Sequence, residues 1–396
     1  MNFVPSQTYD GERFNARKHF ITQNAPDLDL ITPLEADCST RTYYRLASSK
    51  HKRTKVLMDS PDVITMSQFE KIAHFLHSQG LKVPYIYASD PQGFLLLEDL
   101  GDTSYKIALQ KAQNASSNPL SQKNTEQSER PHVSDASVAA AEIPQETTLW
   151  KEMFQVLAHL QKKTHIAHTP SSSHSESSAH VVNLNEPVLC TLPQMDHTEL
   201  LREVEIFLDW GLSFQGQALG LNDKAHLLDL WSDFFSPLTF AFGAVVALKD
   251  FHTENLMRCT GDGLARTGIL DFQDALIAEP AYDLVSLTED VRLPFNAHQS
   301  EQKRLTFLRK HTHLPPEAFD VPYKILSLQR AIKIFGVFTR LALMEGRMHM
   351  LPYLPNVVSI IEARLETLEA SPLKAWIESL GLRKRLQHLT IFQKPF

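Results

Sequence analysis

The stretch that decides the fold is Lys249-Asp250-Phe251-His252-Thr253-Glu254-Asn255, followed sixteen residues after Asn255 by Asp271-Phe272-Gln273. It interrupts an otherwise helical half of the chain with two short β-like runs, FGAVVALKDFHTENLM at 242–257 and GILDFQDALI at 268–277. On either side, apolar residues recur at helical spacing. Leu149, Trp150, Met153, Phe154, Leu157 and Leu160 mark one helix, and Leu200, Leu201, Val204, Phe207 and Leu208 another. Further helical patterns run over about 225–235, 299–311, 323–346 and 355–381.

Upstream the pattern changes. DLDLITPL at 27–34, RTYYRLA at 41–47 and KVLMD at 55–59 are short, β-branched or aromatic runs. Ile64, Met66, Phe69, Ile72, Ala73, Phe75 and Leu76 then recur at helical spacing up to Gly80. PYIYA and FLLLEDL follow, separated by SDPQG turn chemistry. Three strands, a helix and two strands predict an antiparallel sheet carrying one helix.

Composition breaks the chain twice. Residues 110–148 hold no aromatic and only Leu120, Val133, Val138 and Ile143 as large aliphatics, too little apolar area to offset ordering. This predicts a mobile insertion. TPSSSHSESSAH at 169–180 reads as a solvated loop, since its histidines lack a ligand-like spacing. The expected division is therefore an N-terminal lobe over 1–105, an insertion over 106–148, and a helical lobe over 149–396 with a mobile loop at 166–182.

The bulk numbers exclude several classes. The 396 residues are 43% hydrophobic, so global disorder is excluded. With 39 basic and 46 acidic residues and a net charge of −7, a polycationic nucleic-acid binder is not expected. Cys38, Cys190 and Cys259 are too few and too far apart for a disulfide scaffold or a Cys-rich zinc module. The first residues hold no apolar signal-like region, and the longest apolar run, Phe240 to Leu248, falls short of the ~20 residues that span a bilayer. A cytoplasmic protein with no membrane partner is expected.

Asp250, Asn255 five residues on, and Asp271 at a strand end form a set suited to phosphoryl transfer. That chemistry needs one carboxylate to orient an attacking hydroxyl and accept its proton, and two oxygen ligands to hold Mg²⁺ against nucleotide phosphates. Any one of the three could be a turn residue or cap; the joint pattern is far more specific.

These residues resemble the kinase-like phosphotransferases, the aminoglycoside and choline kinases among them, and more closely the anomeric kinases of N-acetylmuramate and N-acetylglucosamine in cell-wall recycling. The resemblance also covers DCSTRTYYRL at 37–46, VLMDSP at 56–61, FLLLEDLGD at 94–102 and YDLVSL at 282–287. It implies an α+β, bilobal, protein-kinase-like fold with a small antiparallel-sheet lobe and a larger helical lobe. It implies ATP and Mg²⁺ as cofactors, a small-molecule sugar as acceptor, Asp250 as the catalytic carboxylate, and Asn255 and Asp271 as metal ligands. A kinase of another alcohol and a catalytically silent nucleotide-binding protein are the alternatives.

The chain departs from protein kinases in having Met58 where those place a phosphate-binding lysine on the third strand; the sugar-kinase group shows the same Met-Asp. Arg41 and Arg45 flank Tyr43 at period two, which puts all three on one strand face, from which an arginine fork could reach phosphate. A solvated face is the alternative, and Lys249 is the fallback cation. Ser39 and Thr40 stand where protein kinases have their glycine-rich turn, and Glu98 to Leu100 would be the adenine hinge through main-chain groups. His252 would organise the loop, Asp283 would accept from nearby backbone, Asp274 would touch metal or sugar, and Arg202 and Glu203 would face the acceptor.

Overall fold

The structure, a computed structural model, describes residues 7–34, 41–117, 144–167, 191–214, 216 and 219–388. Ser39 and Thr40, the 169–180 tract and most of the 110–148 segment lie outside the described residues.

Five antiparallel strands form one sheet in the order β1-β2-β3-β5-β4: β1 Leu30–Leu34, β2 Thr42–Ala47, β3 Thr54–Asp59, β4 Ile86–Asp90 and β5 Phe94–Glu98. Strand alternation sends its two apolar sets to opposite faces. Met58, Leu95 and Leu97 meet α2 (Val63–Ser78), whose Met66, Phe69, Ile72, Ala73, Phe75 and Leu76 are buried. Asp62 caps α2 by accepting from the N–H groups of Ile64 and Thr65. Leu46, Leu57, Phe94 and Leu96 face the other way, onto α1 (Gln7–Asn24), through Phe20 and Ile21. The sequence pattern assigns no element before residue 27. Helix α1 is mostly polar and presents too few apolar residues for a period to register. It is pinned instead by Arg13, whose guanidinium lies 2.6 Å from Asp59 and 4.2 Å from the Phe94 ring centroid.

Chain crosses between lobes at 98–104 and enters α3, Tyr105–Ser117. This corrects the expectation of a mobile insertion from residue 110, because 110–117 continue that helix. Ala108, Leu109 and Ala112 are buried on α3, which packs on α4 (Glu146–Thr164), and close packing through alanine carries little apolar signal in a composition scan.

The helical lobe is arranged around α10, Glu317–Glu345. Helix α5 (His197–Ile206) runs on through a π-helical turn, Phe207–Gly211, and a last turn, α6 (Leu212–Phe214), and lies along α10. Gly336 makes the approach possible: a Cβ there would stand 2.5 Å from the Phe207 backbone nitrogen. Helices α7 (Leu221–Phe235), α8 (Ala281–Thr288), α9 (Ala297–Lys310), α11 (Leu354–Glu366), α12 (Pro372–Ser379) and α13 (Leu382–His388) complete the lobe. Two small ribbons hold the decisive loops: β6 (Val245–Ala247) with β9 (Leu276–Ala278), and β7 (Leu256–Arg258) with β8 (Thr267–Ile269). Asp250 and Asn255 lie between β6 and β7, and Asp271 between β8 and β9. No helix among the described residues is long and apolar enough to cross a membrane.

Candidate active site

The 248–255 loop is fixed mainly through its backbone. Both carboxylate oxygens of Asp283 accept from the loop, from Leu248 N–H at 2.7 Å and Lys249 N–H at 3.1 Å. Burial pushes the Asp283 carboxyl up to about 7, against those two hydrogen bonds and Arg330. Thr253 donates its N–H and hydroxyl to Asp290 at 3.1 and 2.5 Å. Asn255 donates to the Asp250 carbonyl at 3.1 Å, and Leu270 N–H returns to the Asn255 carbonyl at 2.8 Å, which ties this loop to the one carrying Asp271. Lys249 and Asp271 have positive φ, 72° and 55°. Such strain in non-glycine residues persists where the surroundings over-determine the backbone, often at sites that work.

Asp250 projects into a cavity of about 530 Å³ that also meets Glu199, Arg202, Glu203, Lys333 and Arg340. Burial would raise its carboxyl, but Arg330, Lys333 and Arg292 hold it well below the usual carboxylate range. Arg330 lies 3.3 Å from the Asp250 carboxylate and donates to the Lys249 carbonyl at 2.9 Å. The surroundings are dense, yet the Asp250 side chain itself remains 43% exposed, open toward the cavity. His252 is buried, near Asn255 at 3.3 Å, and burial holds its imidazole down to about 4, so it stays neutral.

On the other side of the loop, Asp271 opens onto a second cavity, of about 280 Å³, between Arg41, Tyr43, Val56, Leu97 and Leu100. Its carboxyl is raised by burial and by Asp250 and Asp274, opposed by Gln273 and by Arg41 at 3.5 Å. The Gln273 amide donates to Asp271 and Asp274, each at 3.0 Å, and its buried oxygen has no hydrogen-bond partner among the described residues. Asn255 turns its amide nitrogen toward Asp271 at 3.5 Å. A carboxylate with surplus negative charge, next to the unpartnered amide oxygen of Gln273, fits a hard divalent cation. Among the described residues no group of three His, Cys, Asp or Glu could hold a metal.

Arg41, Tyr43 and Arg45 do share one cavity. Arg45 is nevertheless corrected as a phosphate ligand: it is committed to the lobe connection, at 2.7 and 3.0 Å from Asp99 and 2.7 Å from Asp102. Those contacts and the Gly101 N–H hold Asp99 low against burial. Arg41 is the strand-face cation that stands beside Asp271. Glu98 receives Lys82 at 2.5 Å, and its N–H is spent on the Tyr85 carbonyl; Leu100 lines the same cavity as Asp271. Lys249 does not face Asp271 either, its ammonium lying 3.2 Å from Glu203 in the cavity that Asp250 lines.

Glu203 is buried; Lys333 and Lys249 hold its carboxyl down against that burial, with Lys333 2.6 Å away and Gln329 donating at 2.9 Å. Arg202 is mostly exposed at the rim, paired with Glu199 at 2.7 Å. Arg330, Lys333 and Arg340 are the site residues that pattern reading misses. Their only signal is basic residues at three- and seven-residue intervals on an apolar helix.

Comparison with known proteins gives the class first. Residues 131–314 match the model of the phosphotransferase enzyme family. A spectinomycin phosphotransferase solved with ADP and spectinomycin shares the fold, with a TM-score of 0.52 at 12% identity over 88% of this chain and 98% of that one. The chain has the fold of the kinase-like phosphotransferases. Within that class it is similar to the N-acetylmuramate/N-acetylglucosamine kinase of Caulobacter vibrioides, 25% identical over 94% of this chain and 97% of the relative. The kinase of the same name from Neisseria meningitidis serogroup B is 26% identical over 92% and 94%.

Proposed function

We propose that the chain is an ATP-dependent sugar kinase that phosphorylates the anomeric hydroxyl of N-acetylmuramate and N-acetylglucosamine. The observation that carries the reading is the placement of Asp250 between two cavities, with Asn255 and Asp271 on the nucleotide side and the Glu203–Lys333 pair on the acceptor side. Asp250 orients the acceptor hydroxyl and takes its proton as the phosphoryl group transfers. Held well below the usual carboxylate range, it is a weak base, so its contribution is mainly orientation. An anomeric hydroxyl suits it, being more acidic than an ordinary alcohol. Asn255 and Asp271 would hold Mg²⁺, which when bound neutralises and bridges nucleotide phosphates. Arg41, beside Asp271, adds positive charge on the phosphate side, and Asp283 and Arg330 keep the loop in register.

The acceptor cavity argues against the runner-up, a kinase of cationic acceptors such as choline or an aminoglycoside. Glu199 and Glu203 are already paired with Arg202, Lys249 and Lys333, and Asp250 with Arg330, which leaves Asp274 as the one cavity carboxylate without an ion pair among the described residues, little for a polycation. A neutral or anionic acceptor fits this lining. The test is Mg²⁺-dependent ATP turnover against N-acetylglucosamine, N-acetylmuramate, choline and an aminoglycoside, with phosphorus NMR of the product. Turnover with the two sugars to an anomeric phosphate is expected. Turnover with choline or the aminoglycoside alone would overturn the reading.

A further inference from the structure

The two sugars differ in one charged group. N-acetylmuramate carries a carboxylate on its lactyl ether, where N-acetylglucosamine has a hydroxyl. An enzyme that takes both can gain affinity for the first through a cation that the second leaves unused.

The acceptor cavity sorts its cations cleanly. Arg202 pairs with Glu199, Lys249 with Glu203 and Glu199, and Lys333 with Glu203 at 2.6 Å. Arg330, behind the cavity, is held on Asp250 and the Lys249 carbonyl. Arg340 is the exception: it lines the same cavity, is half-buried, and forms no ion pair or hydrogen bond among the described residues. Its position on α10 is ordered. At about 100° per residue, Arg330, Lys333 and Arg340 fall within an arc of about 80°. The helix therefore presents three cations to the site in a row, the first on the catalytic carboxylate, the second on Glu203, the third with no partner among the described residues. Lys333 and Arg340 are separated by about 10 Å of helix rise, so Arg340 stands at the far end of the cavity from Asp250.

A half-buried guanidinium gains most from an anion that can take its planar fork in a bidentate contact. We infer that Arg340 is the residue that selects acidic acceptors, pairing with the lactyl carboxylate of N-acetylmuramate while Asp250 engages the anomeric hydroxyl. The inference rests on the proposed function and adds to it the residue that tells the two sugars apart.

The test is the ratio of kcat/KM for N-acetylmuramate to that for N-acetylglucosamine, in the wild type and in Arg340→Gln and Arg340→Lys. A charge-assisted hydrogen bond is worth enough that the Gln variant should lower this ratio about tenfold or more, chiefly through KM for N-acetylmuramate. Lys, which keeps the charge and loses the fork, should fall between. A second readout uses N-acetylmuramate with its lactyl carboxylate converted to the carboxamide. The wild type should favour the acid over the amide, and the Gln variant should lose that preference. Equal losses on both sugars, with the ratio unmoved, would make Arg340 structural and overturn the inference. A wild type that turns over N-acetylglucosamine alone would overturn the inference and leave the sugar-kinase reading standing. Turnover of neither sugar would defeat the parent reading and this one with it.

Discussion

Asp250 and Asp271 lie on neighbouring loops, yet their surroundings push them in opposite directions. Asp250 faces the cavity of Glu203 and Lys333, where Arg330, Lys333 and Arg292 outweigh burial and keep it ionised. Asp271 faces the cavity of Arg41 and Tyr43, where Asp250 and Asp274 add to burial and Arg41 and Gln273 oppose them. Cations thus outweigh burial at the first carboxylate, while the second is left with surplus negative charge. Divergent environments for two like groups are how a site divides roles between them.

The sharpest test of that contrast replaces each in turn. Asp271→Ala should abolish Mg²⁺-dependent nucleotide binding in calorimetry, because it removes the ionised ligand. Asp250→Asn should leave that binding nearly intact and lower kcat by about 10²-fold or more. The reverse pattern would exchange the two roles.

Acid titration should separate them next. Asp271 is raised, so on acidification it protonates first, and the acid limb should appear in KM for Mg·ATP before it appears in kcat. Arg330→Gln removes the largest of the opposing charges, so it should move the acid limb of kcat to higher pH. Limbs that coincide in both parameters, unmoved by the substitution, would mean that the two environments are not distinct.

The smallest expected effect divides the strand arginines. Arg41→Ala should raise KM for ATP several-fold, as loss of one charge-assisted contact implies. Arg45→Ala should cost about 1 kcal/mol of stability or less through its partly exposed ion pairs, visible in Tm with little change in KM. Equal KM effects would return Arg45 to the phosphates.

What the sequence disclosed follows from how near the cooperating residues lie along the chain. Asp250, Asn255 and Asp271 fall within 22 residues, on loops between strands of three residues each, so their spacing nearly dictates their meeting. Arg330 reaches Asp250 across 80 positions of sequence, and a basic residue on an amphipathic helix looks like a solvated one until its neighbours are known. Arg45 was legible as to its face but not its partner, because Asp99 and Asp102 come to it only when the lobe connection folds back across β2. Helices α1 and α3 escaped for a related reason. They dock through a few apolar side chains, or through alanines, and a periodicity search needs more.

Gly336 sets a dimension that none of the cavity residues sets. Because nothing projects from it, α10 rests directly on the backbone at Phe207, and the distance between the helices bearing Lys333 and Glu203 is fixed by that contact. The width available to an acceptor is thus a property of how two helices stack, decided at a glycine that flanks the row of cations on α10. Acceptor size can therefore drift through substitutions that never touch a sugar, while every residue that does touch it stays the same.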